Sequence, residues 1–329
     1  MKSGSTPGTT VVILGATGFI GRNLVERFVS DGRYAVRAVH HTRAPYPTDG
    51  PVEWVRADLT KNEDVRRVVD GADILIQAAA ATSGAGDIVL RPHIHTTDNA
   101  VMNSLIVRAA HEFGVKHFLF FSCSIIYQPS ETPVRETDFD AGKDFFPQYF
   151  PAGWTKLYIE NMCRFLARIS DTKVTVIRHS NVYGPHDKFD LERSHVFGAT
   201  VTKVLTAEDG GSLTVWGPGT EGRDLMHVSD LVDFVEAAIA GQNAPFGLYN
   251  AGAGHTVRLV DLIQKIIDAS GKDIRIDHDL TRPTIPFTVA LDCGLAQHDL
   301  GWMPQTGLDD GIAHTLAWRR ADLERGVQQ

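Results

Sequence analysis

Short apolar runs alternate with longer stretches of helical period through the first half of the chain. The runs Val11–Leu14, Ala35–Val39, Val52–Val55, Ile74–Ile76, Phe118–Phe121 and Val174–Ile177 are mostly β-branched or aromatic. Most are separated by amphipathic stretches such as Asn62–Val69 and Asp98–Phe113, whose apolar positions recur at helical spacing. Strands buried on both faces read this way, because helices cover each side of a parallel sheet. The β/α alternation therefore predicts an α/β fold, a doubly wound parallel sheet with right-handed crossovers. Beyond about Asn181 the texture changes to loops rich in Gly, Pro, His and Asp, with helical patterns only at Ser229–Ala240 and Val257–Ala269. The predicted division is a flexible leader over 1–10, a main domain over 11–182 plus about 224–252, and a smaller C-terminal α/β region over about 183–223 and 253–329.

Composition narrows the function classes. The chain has 329 residues, 43% of them hydrophobic, enough to bury a large core. With 32 Lys+Arg against 40 Asp+Glu the net charge is -8, so no basic excess is available for a nucleic acid backbone. Cys123, Cys163 and Cys293 form no CxxC pair, which predicts neither a disulfide framework nor a metal site and points to the cytoplasm. No apolar run approaches the roughly eighteen residues of a membrane span.

The clearest chemistry lies directly after the first predicted strand. Gly15, Thr17, Gly18, Phe19, Ile20 and Gly21 belong to a Gly-x-x-Gly-x-x-Gly turn that opens a helix. Glycines there let the backbone approach a pyrophosphate, which rests on the positive end of the helix. The sheet is thus expected to be Rossmann-type. Where an NAD-specific protein usually places an acid on the ribose 2'-hydroxyl, at the end of the second strand, this chain has His40, His41 and Arg43. Those cations, with Arg22 after the turn, suit a 2'-phosphate and favour NADP, while NAD remains open. Asp58 and Leu59 are candidates at the adenine. Ala78, Ala79 and Ala80 would let the chain pass close to the cofactor ribose.

Together with a Ser-rich strand ending in Tyr127 and the downstream Lys156, these residues resemble the extended short-chain dehydrogenase/reductase (NAD-dependent epimerase/dehydratase) family, whose members mostly remodel nucleotide sugars. The segments Asn181–Asp187, Ser194–Val196, Val215–Gly219 with Arg223, His227–Val228, Arg282–Pro283 and Leu300–Trp302 look like the GDP-fucose synthase branch. The resemblance implies that His179 touches the cofactor. It further implies that Asn181, His195, Val196, Lys203, Trp216, Arg223 and Arg282 line a nucleotide-sugar site. The chemistry agrees, since Arg223 and Arg282 are forked cations suited to a diphosphate and Trp216 offers a flat face to a base. A homodimer is likewise implied, through helices carrying Val101, Leu105, Ile159, Cys163 and Leu166.

The pattern breaks at the catalytic positions. The family uses a Tyr four residues before the Lys, so that both share a helix face and the ammonium lowers the phenol pKa. Here Lys156 is present and that position is Ala152. The family's Ser or Thr, four residues before Tyr127, is Cys123, flanked by Ser122 and Ser124. The further acid/base position, two residues before Tyr127, is Ile125, so His195 has lost its partner. Three explanations stay open: an engineered Tyr-to-Ala variant, a natural relative that uses another acid such as Tyr149 or Cys123, or a protein that binds without turnover. The sequence favours a natural divergent member, because a single designed change at 152 would leave the neighbouring Ser or Thr intact. The expected activity is hydride transfer at C4 of a nucleotide-linked hexose or heptose, GDP-linked by resemblance. In this reading Lys156 sits on the nicotinamide ribose, Cys123 and Ser124 hold the reacting oxygen and His195 touches the sugar; the alternative is a catalytically disabled binder of NADP and nucleotide sugar.

Overall fold

In the computed structural model, residues 8–81, 92–191, 194–282 and 284–327 are described, so most of the predicted leader and Pro283 lie outside them. The first half runs β1 (Thr9–Leu14), α1 (Phe19–Asp31), β2 (Tyr34–His40), β3 (Glu53–Arg56), α2 (Asn62–Val69), β4 (Ile74–Gln77), α3 (Pro92–Glu112), β5 (His117–Cys123), α4 (Phe150–Ile169) and β6 (Lys173–His179). The second half runs β7 (Asn181–Tyr183), α5 (Val196–Thr206), β8 (Ser212–Trp216), β9 (Gly222–Arg223), β10 (Leu225–His227), α6 (Val228–Gly241), β11 (Phe246–Ala251), β12 (Val257–Arg258), α7 (Leu259–Ser270), β13 (Arg275–Asp279), α8 (Gly294–Leu300) and α9 (Leu308–Val327).

Seven strands form one sheet in the order β11-β6-β5-β4-β1-β2-β3, and every pairing within it is parallel. Successive strand residues face opposite sides, and the two cores divide accordingly. Val11 and Ile13 pack with Leu24, Val25 and Phe28 of α1 and with Leu231, Phe234 and Val235 of α6. Val12 and Leu14 pack with Val65 and Val68 of α2, Met102 and Ile106 of α3, and Ile159, Cys163 and Leu166 of α4. The chain winds outward from β1 to β3, then crosses back to β4 beside β1. That reversal opens a crevice at the carboxyl ends of β1 and β4, where ligands of open α/β sheets bind.

The region after Asn181 departs from the sequence reading. The segment read as loop holds α5 and β8, while α8 and α9 were not foreseen. Helix α5 is rich in Val, Thr and Gly, poor helix formers, yet it buries Phe197, Val201 and Val204 against Leu262, Ile263 and Ile266 of α7. Tertiary packing overrides propensity here. Strand β8 shows the alternating burial of a strand with one covered face and pairs in parallel with β13. Of the segment expected to return to the sheet, only β11 does so; β10 pairs with β7 instead. The helix residues expected at a dimer interface are also redistributed. Ile159, Cys163 and Leu166 are buried against the chain's own sheet, with Leu105 packed on them, and among those expected only Val101 is exposed.

Asp224, buried between β9 and β10, closes the second half onto the sheet. Its carboxylate accepts N–H groups from Ala253 at 2.7 Å, Gly254 at 3.3 Å and Leu291 at 3.0 Å. Among the described residues no helix is long and apolar enough to cross a membrane. Asp224→Ala strips the acceptor from three N–H groups at once and is expected to cost about 3 kcal/mol or more of stability; urea denaturation should show a lower midpoint with an unchanged slope.

Candidate functional site

The carboxyl ends of the strands gather most of the predicted site residues on one edge. At β1, Gly15 takes φ 77°, and a Cβ there would lie 2.6 Å from the Ala79 Cα. Gly15 is therefore required by the close approach of the backbone at Ala78 and Ala79. A Cβ on Gly21 would lie 2.1 Å from the Gly15 carbonyl oxygen, so the third glycine seats α1 against the turn. Gly18 is the N-cap of α1 and makes no side-chain cap, and the first helical turn holds no acid. The unsatisfied N–H groups of this turn form an anion cradle at the crevice. A dinucleotide pyrophosphate fits it.

The expected adenosine cations sit beside this cradle. Arg43 donates to the Thr17 carbonyl at 3.4 Å, and its own carbonyl oxygen lies 2.9 Å from His40 Nδ1. Arg22 stacks 4.1 Å over the Tyr46 ring and pairs with Glu26 at 3.0 Å. Arg22 is thus engaged by its own helix and loop, whereas Arg43 reaches the glycine turn. The Asp58 carboxylate accepts both the N–H and the hydroxyl of Thr60, at 3.0 and 2.7 Å, and these bonds lower its pKa. The Leu59 side chain is buried among Val65 and Val68, which leaves its backbone groups for a ligand.

At the reaction end, burial alternates after β5. Ser122, Ser124 and Ile126 are buried, whereas Cys123 and Ile125 are half-exposed. Ser124, expected beside the reacting oxygen, is only 6% exposed and faces inward, so Cys123 is the group this strand end presents. Burial pushes the thiol pKa up, and Lys156 partly offsets it; Cys123 stays a protonated weak donor. Lys156 lies one turn after Ala152 in α4 and donates to the Phe121 carbonyl at 2.6 Å. Desolvation lowers its pKa, opposed by Cys123 and Glu160. His179 places Nδ1 2.7 Å from the Ser180 carbonyl. Burial, with Lys156 and His195 nearby, brings its pKa down to about 4, so the ring is neutral. His195, at the surface, is the N-cap of α5 and Val196 its first residue.

Beneath these groups lies a buried polar network that sequence reasoning missed. Arg178 makes two bonds to Glu160, at 2.7 and 3.1 Å, and Ser122 donates to the same carboxylate at 2.5 Å. Arg178 also reaches the Tyr127 hydroxyl at 2.9 Å, which donates to Asn250 at 2.7 Å. Tyr127 is committed there and buried, which raises its pKa and removes it as a proton source. The available signals were Glu160 one turn past Lys156 and Arg178 directly after the run Val174–Ile177.

The expected sugar-site residues divide into two groups. Lys203 donates to the Thr214 carbonyl of β8 at 3.1 Å, Trp216 ends β8 at 50% exposure, and Arg282 stacks 5.3 Å from its ring while pairing with Asp279 at 3.4 Å. Asn181 bonds the Asp224 carbonyl through its backbone and side chain, at 3.0 and 3.1 Å. Arg223 is held by backbone carbonyls. Its guanidinium donates to the carbonyls of Phe287 at 2.5 Å, Gly222 at 3.0 Å and Ile285 at 3.1 Å, so three of its five N–H groups are engaged by backbone.

These features define a dinucleotide-binding α/β protein with a reaction site built at the sheet's switch point. The chain belongs to the NAD dependent epimerase/dehydratase family, whose profile matches residues 11–252. It is 27% identical to a dTDP-4-dehydro-6-deoxy-D-allose reductase of Streptomyces sp, over 95% of this chain and 97% of the relative. It is 28% identical to GDP-L-fucose synthase of Escherichia coli K12, over 80% and 86%. The structure of MoeE5 in complex with UDP-glucose and NAD superimposes with a TM-score of 0.83 at 25% identity, covering 96% of this chain and all of that one.

Asp187, in the loop after β7, is 8% exposed. One carboxylate oxygen accepts the Lys188 N–H at 2.7 Å and the other has no hydrogen-bond partner among the described residues. Burial brings its pKa up to about 7 from the ordinary 3.8. The folded state then holds the proton more tightly than the unfolded chain, so the stabilisation is complete below about pH 4 and is lost as pH rises through about 7. Asp187→Asn is expected to remove this slope and to gain about 1–4 kcal/mol on the parent between those limits, read by denaturant titration across pH.

Proposed function

We propose that the protein binds a nicotinamide dinucleotide, NADP in preference to NAD, together with a nucleotide-linked sugar, and interconverts hydroxyl and carbonyl at the sugar's C4. The observation that carries this is the meeting of anion cradle, Lys156, Cys123 and His179 at one sheet edge. The names of the relatives, nucleotide-sugar reductases and synthases, support the same substrate class. We read the substrate as GDP-linked from the motifs shared with GDP-fucose synthases. The exposed Trp216 ring with Arg282 over it is the surface we assign to the nucleotide.

Gly15, Thr17, Gly18, Phe19, Ile20 and Gly21 would hold the pyrophosphate, Arg43 and His40 the adenosine phosphate, and Ala80 would line the nicotinamide side. When bound, the nicotinamide gives or takes a hydride at the sugar carbon. Lys156, anchored to the Phe121 carbonyl, keeps two further N–H bonds for ribose hydroxyls. The Cys123 thiol hydrogen-bonds the sugar oxygen, and neutral His179 offers an acceptor without adding charge. Partial burial of Lys156, Cys123 and His179 strengthens the field between them.

A second reading is favoured by one residue. The Ala152 methyl carries no proton, and a chain without an acid would bind and not turn over. Absorbance of NADPH during incubation with GDP-, UDP- and dTDP-4-keto-6-deoxyhexoses separates the readings. The parent chain is expected to oxidise NADPH with the GDP sugar; activity confined to Ala152→Tyr would establish the binding-only reading.

We also place the chain in the cytoplasm, consistent with three unpaired thiols, and assign it a homodimer. Phe150, Trp154, Tyr158, Phe165 and Ile169 leave an apolar stripe exposed on α4, continued by Val101 of α3, as a second copy would cover. Sedimentation should give a dimer, and Phe165→Asp should shift it to monomer with the fold retained.

A further inference from the structure

We propose that Tyr149 supplies the proton that Ala152 cannot, and that Arg223 is its positioning residue. This rests on the C4 chemistry proposed above. Tyr149 is the N-cap of α4, placed one helical turn ahead of residue 152. Of the seven tyrosines, Tyr46, Tyr127, Tyr158 and Tyr249 commit their hydroxyls to other groups. Tyr34 begins β2, at the far end of the sheet, and Tyr183 is buried in the C-terminal core. The Tyr149 hydroxyl has no hydrogen-bond partner among the described residues.

Its ring is fixed even so. It stands edge-on to Phe287 at 5.1 Å and beside Phe146 at 5.9 Å, and its N–H donates to the Phe146 carbonyl at 2.8 Å. Arg223 grips the same Ile285–Phe287 segment through two carbonyls, so cation and phenol share one support. The charged or ionisable groups felt by the phenol are Arg223, which favours its ionisation, and Cys123, which opposes it; burial keeps the proton on at neutral pH. Lys156 is not among them, being drawn to the Phe121 carbonyl.

The charge of Arg223, fixed by three backbone carbonyls, then has a use. In the reducing direction the carbonyl carbon gains a hydrogen with its electron pair from a dihydronicotinamide. The carbonyl π pair moves to oxygen, and that oxygen takes the proton from Tyr149 Oη. The phenolate left behind is favoured by the Arg223 charge, held on the same Ile285–Phe287 segment, until water returns the proton.

The test follows deuterium passing from C4-deuterated NADPH to 4-keto-6-deoxyhexoses linked to GDP, UDP or dTDP, by mass spectrometry. The proteins are the parent, Tyr149→Phe and Ala152→Tyr, with NADPH binding followed by fluorescence. A second readout is the ¹³Cζ resonance of Tyr149, assigned by its loss in Tyr149→Phe. Tyr149→Phe is expected to slow transfer at least about 100-fold with NADPH affinity unchanged. The resonance is expected to move when the nucleotide sugar is added, and to titrate at higher pH in Arg223→Gln. Undiminished transfer in Tyr149→Phe, or a resonance indifferent to the sugar, overturns the proposal and leaves the site reading standing. So does a silent parent beside an active Ala152→Tyr. Silence in all three proteins, with both ligands bound, overturns the C4 chemistry itself and the role of Tyr149 with it.

Discussion

Four elements of the reaction end are tied together by the buried ion pair of Glu160 and Arg178. Glu160 belongs to α4 and Arg178 to β6; Ser122 of β5 and, through Tyr127, Asn250 of β11 complete the set. Each site residue is an immediate neighbour of a member: Cys123 follows Ser122, His179 follows Arg178, and Lys156 is one turn before Glu160. Such a pair gives little net stability, because desolvation offsets attraction, yet removing one partner leaves an uncompensated buried charge. What it contributes is placement. Three side chains from three elements are held in a fixed relation.

The dinucleotide end rests on a different constraint, the close approach of backbones. Gly15 meets the Ala79 backbone, and Gly21 meets the Gly15 carbonyl, so neither glycine has room for a side chain. This packing aims the N-terminus of α1 at the crevice without a capping side chain, and the cradle stays free for an anion. Arg43 reaches this turn, whereas Arg22 is drawn off by Glu26 and Tyr46. Two cations similar in the sequence therefore have different standing in the fold.

Ala152 reorganises the reading of the site. That position carries no phenol, the ammonium of Lys156 bonds the Phe121 carbonyl, and Tyr149 lies one turn earlier, on the segment that Arg223 holds. Arg223, expected on a diphosphate, thereby becomes a structural link between β9 and the segment on which Tyr149 rests. A proton source placed there would depend on how the second half of the chain closes on the first.

The parallel sheet, its helices and the glycine turn were legible in the sequence because they rest on local pattern: apolar runs too continuous for an exposed sheet, and glycines at a spacing that serves one purpose. Lys156, Cys123 and the alanine gap could be placed by register along single elements. Helix α5 was not legible, since its Val, Thr and Gly form a helix only when α7 covers them. Nor were the inward turn of Ser124 and Leu59, the diversion of Arg223, or the Glu160–Arg178 pair. Each depends on contacts between residues distant along the chain, and which polar group meets which is decided only when the sheet brings its carboxyl ends together.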